Sequence, residues 1–101
     1  AYYFMLVRQD GPTSPEFTRV VSLDVWRELE AAGHVWKHFT SPEAKRLGAE
    51  LPENTPLPTV AVLRKNAAGK YVQVRKPDGK PFLKPFPETE ADIRALGESI
   101  P

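Results

Sequence analysis

The 101-residue chain contains no cysteine. That absence removes disulfide staples, thiolate nucleophiles and cysteine-ligated metal from the chemistry open to it. It leaves the compartment undetermined, because a cytosolic protein and a periplasmic one without bridges read alike. An excess of one charge is missing too: 14 lysines and arginines stand against 13 aspartates and glutamates, a net of +1. No field spanning the whole molecule therefore announces a nucleic acid or a membrane. No apolar run approaches the roughly 20 residues of a spanning helix. The longest, Tyr2 to Val7, has no basic flank before it, so a secretory signal is not expected. Gly-x-Gly-x-x-Gly and Gly-Lys-Ser/Thr phosphate loops are absent, and no cofactor is implied.

What is present is the composition of a soluble globular domain. Hydrophobic residues make up 41% and charged residues 27%, too apolar for disorder. One domain over residues 1–101 is expected, with a single core. Because the chain opens inside a strand, further residues upstream are expected.

Tyr2 to Val7 is short, continuous and apolar, the pattern of a strand covered on both faces. Asp10-Gly11-Pro12-Thr13-Ser14-Pro15 is a loop. The following helix has two candidate starts. Ser14 with Pro15 behind it is one. Ser22 is the other and the preferred one, because Thr18-Arg19-Val20-Val21 is rich in β-branched residues. From Ser22 the helix runs Leu23 to Ala32, with Val25, Trp26, Leu29 and Ala32 on its apolar stripe and Gly33 at its stop. His34 to Phe39 reads as a second strand. Ser41-Pro42-Glu43 opens a short helix through Leu47, closed by Gly48. Leu51 to Pro58 holds three prolines and is irregular. Thr59 to Leu63 is the clearest strand, and Asn66 to Gly69 turns it into an alternating strand, Tyr71 to Arg75. Lys80 to Pro87 is studded with proline. A last helix begins at Thr89, with Asp92 three residues on as in a capping box. The order implies an α/β fold: a mixed sheet of about four strands with three helices, in which two strand–helix–strand units imply parallel pairing and the last two strands form a hairpin.

This order, with Leu57-Pro58-Thr59 directly before Val60-Ala61-Val62-Leu63, resembles the thioredoxin-like fold, whose members carry a cis-proline before the third core strand. Ser41 to Gly48 resembles the short helix preceding that proline, and Phe86-Pro87-Glu88-Thr89-Glu90 resembles the approach to the terminal helix. The likeness covers residues 2–100 in outline and is specific from Ser41 to Ile100. It departs where the family keeps Cys-x-x-Cys: that stretch reads Asp10 to Pro15, with hydroxyls in place of sulfurs. Thiol–disulfide activity is not carried over, and no catalytic residue transfers. The family's residue before the cis-proline presents backbone to an extended peptide, which needs no cysteine. The resemblance therefore implies a redox-inactive domain that binds a protein or extended peptide through Thr13, Ser14, Leu57, Pro58 and Thr59.

Other constellations have plainer readings. Thr13 and Ser14 lack a positioned base and read as turn formers. His34 and His38, four apart on a strand, would stand about 13 Å from each other, too far to share an ion; both face the same way as Trp36. Glu88, Glu90 and Asp92 suit a helix start. The charge distribution is uneven, however. Arg64, Lys65, Lys70, Arg75, Lys76, Lys80 and Lys84 face only Asp78, so residues 64–84 carry +6 and the remainder −5. Lysine at a sheet edge prevents edge-to-edge pairing. The alternative is a nucleic-acid surface on this hairpin, with Tyr71, Phe82 and Phe86 interleaved.

Overall fold

The computed structural model describes residues 1–101. It is an α/β fold whose mixed sheet has five strands, flanked by four helices. β1 (Tyr2–Arg8) lies between a parallel β2 (Val35–Thr40) and an antiparallel β3 (Thr59–Lys65). The first strand–helix–strand unit is therefore parallel and the second, expected to be, is not: β3 crosses to the far side of β1 and runs against it. The far side of β3 is shared. β4 (Tyr71–Gln73) pairs with Leu63 to Lys65, and β5 (Leu83–Pro85) pairs with Thr59 to Ala61. Between them the chain leaves the sheet as a tight tongue, closed by an Arg75–Pro81 bridge and by Lys76 N–H donating to Lys80 O at 2.8 Å.

Two of the expected elements are thereby corrected. The strand expected over Tyr71 to Arg75 stops at Gln73, and a fifth strand lies inside the proline-rich stretch. Proline is tolerated there because β5 is an edge, where one side of the backbone needs no partner. The first helix is the second correction. α1 (Pro15–Val21) and α2 (Trp26–Ala31) replace the single helix expected from Leu23 to Ala32. Ser14 is the cap, its Oγ accepting from Phe17 N at 3.1 Å, with Pro15 at the first helical position. The β-branched run is helical because Phe17 and Val20, three apart, are both buried beneath it. Ser22 instead ends α1, its Oγ donating to Thr18 O. Ser14→Ala is accordingly expected to cost about 1 kcal/mol in a urea melt, and Ser22→Ala less than about 0.5 kcal/mol.

α3 (Ser41–Arg46) is capped by Thr40, one residue before the expected serine. Thr40 Oγ1 accepts from Glu43 N, and the Glu43 carboxylate accepts from Thr40 N. α4 (Glu90–Arg94) carries the expected box of Thr89 and Asp92 and runs into a 3-10 turn, Ala95–Gly97.

The alternation of β1 divides the core. Phe4 and Leu6, with Val60 and Val62, meet Phe17, Val20, Trp26, Leu29, Ile93 and Leu96 from α1, α2, α4 and the 3-10 turn. Met5 and Val7, with Ala61, form a smaller cluster with Ala44 and Ala49, against which the partly buried Phe39, Leu51, Leu57 and Leu83 pack. Ala32, expected on the apolar stripe, is exposed. Trp36 stacks on Trp26 with centroids 4.4 Å apart, and His34 and His38 lie on the same side of β2 as Trp36.

His34 closes one end of this core. Its Nδ1 accepts from Tyr2 N at 2.9 Å, and its ring stacks on Tyr2. Burial pulls its pKa below the ordinary histidine value, and the Ala1 ammonium adds to the effect. The folded state therefore favours neutral His34. Its contribution is complete above the unfolded-state value of about 6.5 and is lost as pH falls through the lower folded value. Urea melts from pH 7.5 to 5 should show stability declining with acid, and a His34→Gln variant should flatten that decline. The depressed carboxylates, Glu16, Glu28, Glu43, Glu50 and Asp92, add their own loss only as pH approaches their ordinary values of 4.5 for Glu and 3.8 for Asp, so the His34 contribution is read from the upper part of the range.

Candidate functional site

At the C-terminal end of β1 the chain turns away through Gln9 to Ser14. Arg8 holds this loop by donating to Gln9 O at 3.1 Å and Gly11 O at 2.8 Å. Gly11 sits at φ +102°, where a side chain would be strained, and its N–H donates to Asp10 Oδ1. Facing this loop is the segment entering β3, in which the Leu57–Pro58 bond is cis. A cleft of about 230 Å³ separates the two, lined by Arg8, Gln9, Pro12, Ser14, Phe17, Leu57 and Pro58.

Pro58 also forms a wall of a second, larger cleft of about 550 Å³. Its apolar side is Pro56, Pro58, Leu83, Pro85 and Phe86; its polar groups are Thr55, Thr59, Lys84, Glu16 and Glu88. Arg19 organises the acidic rim, pairing with Glu16 at 2.5 Å and donating to Glu88 O at 2.7 Å. The Arg19 hydrogen bond holds the Glu16 carboxyl below its ordinary value. Pro58 lines both clefts, so the loop after β1, the entry to β3 and the β5 edge come together around this residue, and the two clefts are taken together as one candidate groove.

Of the five residues expected to form a contact surface, Pro58 is exposed and lines both clefts, and Leu57 lines the smaller one while also packing against the Met5, Val7 and Ala61 cluster. Ser14 lines it, but its hydroxyl is committed to capping α1. Thr59 is buried, and its Oγ1 donates to Lys84 O at 3.1 Å, fastening β5 to β3. Thr13 is exposed and lines neither cleft. His38 stands edge-on to Phe17, within the helix that Ser14 caps, but the Ser14 hydroxyl is bonded to backbone. Neither hydroxyl is paired with a base. No three histidines or carboxylates gather where an ion would sit.

No protein-family model, curated protein or solved structure matches the chain.

The basic residues of 64–84 do not gather on one surface. Lys84 lies at the groove end of the sheet, yet its ammonium is turned inward, donating to Ala95 O, Leu96 O and Glu98 O at 3.3, 3.0 and 2.5 Å. Arg75 makes a two-pronged pair with Glu50 at 2.9 and 3.0 Å and also donates to Gly79 O. Lys76 lies 4.0 Å from Asp78 on the tongue, where Lys80 is exposed. Arg64, Lys65 and Lys70 stand at the opposite end of the sheet from the groove. The residues sequence reasoning missed, Glu16, Glu88, Pro85 and Phe86, reach the groove through long-range packing. Only the β5 pairing reveals them.

Proposed function

We propose that this chain is a redox-inactive, thioredoxin-like interaction domain that takes an extended peptide along the Leu57–Pro58 groove. The observation that carries the reading is that Pro58 lines both clefts, which places Arg8 and Pro12 on one side of it and Pro85 and Phe86 on the other. The parallel β1–β2 pair and the antiparallel β3–β4 pair are compatible with the strand–helix–strand unit and the hairpin of this reading. Without a cysteine the groove has no sulfur to exchange, so binding is the remaining use of such a surface. Pro56, Pro58, Pro85 and Phe86 are stiff and pre-formed, which lowers the ordering cost of binding. Glu16 is taken up by Arg19, so the exposed Glu88 carboxylate is the rim group that favours a peptide with apolar side chains and one basic residue.

A displayed library of extended peptides, selected against the wild-type chain, is the direct test. Selected sequences are expected to carry a lysine or arginine beside apolar residues and to lose at least tenfold in affinity to Leu57→Glu or Glu88→Lys. Amide chemical shifts on titration are expected to move at 55–59 and 83–88. Failure to select any peptide, or selected peptides that bind Leu57→Glu unchanged, would remove the groove as the site.

A further inference from the structure

The end of the sheet farthest from the groove presents a different chemistry. α3 has six residues and is about 9 Å long, whereas β1 and β2 extend about 20 Å. On its side of the sheet the helix covers Met5, Val7 and Ala61 and leaves Tyr3, Leu63 and Tyr71 half-exposed. Tyr3 and Tyr71 meet edge to face with centroids 5.3 Å apart. The Lys65 ammonium stands 5.4 Å from the Tyr71 ring centre. Lys37, two residues along β2 from the partner of Tyr3, is exposed on the same side, and Lys70 is exposed in the turn just before Tyr71. Around the sheet's end a cavity of about 400 Å³ brings Arg64 next to Lys65, with Arg64 5.6 Å over the Tyr2 ring. The side chains paired across this end, Val35, Tyr3, Leu63, Lys65 and Tyr71, include no acid. Glu50, which reaches the same strand at Gln73, is neutralised by Arg75.

Half-exposed aromatic rings on a pleated surface, with Lys65 over the Tyr71 ring and Lys37 and Lys70 exposed at the rim, match a polyanion whose units have flat faces. We propose that this sheet end binds single-stranded nucleic acid, with bases stacked on Tyr71 and Tyr3 and phosphates held by Lys65, Lys70 and Lys37. Stacking accepts any base because every base has a π face, and the lysines follow the backbone, so little sequence preference is expected. The site is separate from the peptide groove and depends on none of its residues. It uses only the part of the basic segment that the fold gathers beside tyrosines.

Fluorescence anisotropy with a labelled oligothymidylate of about 12 nucleotides tests this. At low salt a dissociation constant between roughly 1 and 100 µM is expected, with three phosphate contacts giving a log–log salt slope of about −2. Tyr71→Ala should weaken binding roughly 5- to 150-fold while Tyr71→Phe, which keeps the ring, binds as wild type. Lys65→Gln and Lys70→Gln, both on exposed side chains, should each reduce the slope by about 0.7. Leu57→Glu should leave the affinity unchanged, which separates this site from the groove. Absence of binding at low salt, a flat salt dependence, or equal affinity for polyglutamate would each overturn the proposal. So would unchanged binding by both lysine variants, a result that does not depend on whether Tyr71→Ala folds.

Discussion

Trp26→Ala is expected to lower the melting temperature by at least about 12 °C. Trp26 is 1% exposed, at the centre of the larger core cluster. Its ring stacks on Trp36, and its Nε1–H donates to Val20 O at 2.9 Å. Truncating a buried tryptophan costs about 3–5 kcal/mol, and each kcal/mol moves the melting point of a domain this size by about 4–8 °C. Trp26→Phe separates packing from hydrogen bonding. Val20 O also accepts from Leu23 N at 3.2 Å, so losing the indole donor strands no carbonyl. Phe is therefore expected to cost about 1–2 kcal/mol, most of it lost contact. Trp36→Ala should cost less than Trp26→Ala, because Trp36 is half-exposed and its N–H reaches only the surface carboxylate of Glu30. Equal effects from Trp26→Ala and Trp36→Ala in thermal melts would show that the core is not centred on the α2 ring.

The parts of this fold legible in the sequence are those in which local pattern and tertiary burial agree. Tyr2 to Val7 and Thr59 to Leu63 are apolar on both faces because each strand has a partner on both sides and a covered face above and below. Thr89 with Asp92 could be read because the box is closed within four residues. Thr18 to Val21 misled because β-branched residues favour strands by a few tenths of a kcal/mol each, while burying Phe17 and Val20 contributes several times more. β5 was illegible because its only pairing is with Thr59 to Ala61, more than twenty residues earlier, and prolines hide it. The candidate site divides the same way. Leu57 and Pro58 stood out by resemblance. Glu16, Glu88 and Phe86 carry no signal until α1 and β5 are brought to either side of Pro58. The run of cations from Arg64 to Lys84 looked like one surface because it is continuous in sequence; the tongue at 75–81 and the inward turn of Lys84 scatter it.

Lys84 gives the sharpest test of that scattering. Were it part of a solvated basic surface, replacing it with methionine would change net charge and little else. In this fold its stem lines the groove and its ammonium donates to three carbonyls at the end of α4 and the 3-10 turn. Ala95 O also accepts from Glu98 N at 3.0 Å, while Leu96 O and Glu98 O lie past the end of the helical ladder, and a cation there also meets the negative end of the helix dipole. Burial pulls the lysine pKa below its ordinary value, with the Glu98 charge opposing, but the acceptors keep the ammonium in use as a donor. Hydrogen bonds to a charged group contribute about 1.5–3 kcal/mol, and partial access of water to the carbonyls places the loss near the lower end. Lys84→Met, which keeps the stem, is thus expected to lose about 2 kcal/mol, and Lys80→Met, exposed on the tongue, less than about 0.5 kcal/mol. Amide exchange should quicken at 83–85 and 94–98 in Lys84→Met, because β5 and the terminal helix are tied to each other through this one side chain. Equal stability of Lys84→Met and Lys80→Met in urea would return Lys84 to the surface charge and leave β5 held by Thr59 and its ladder alone.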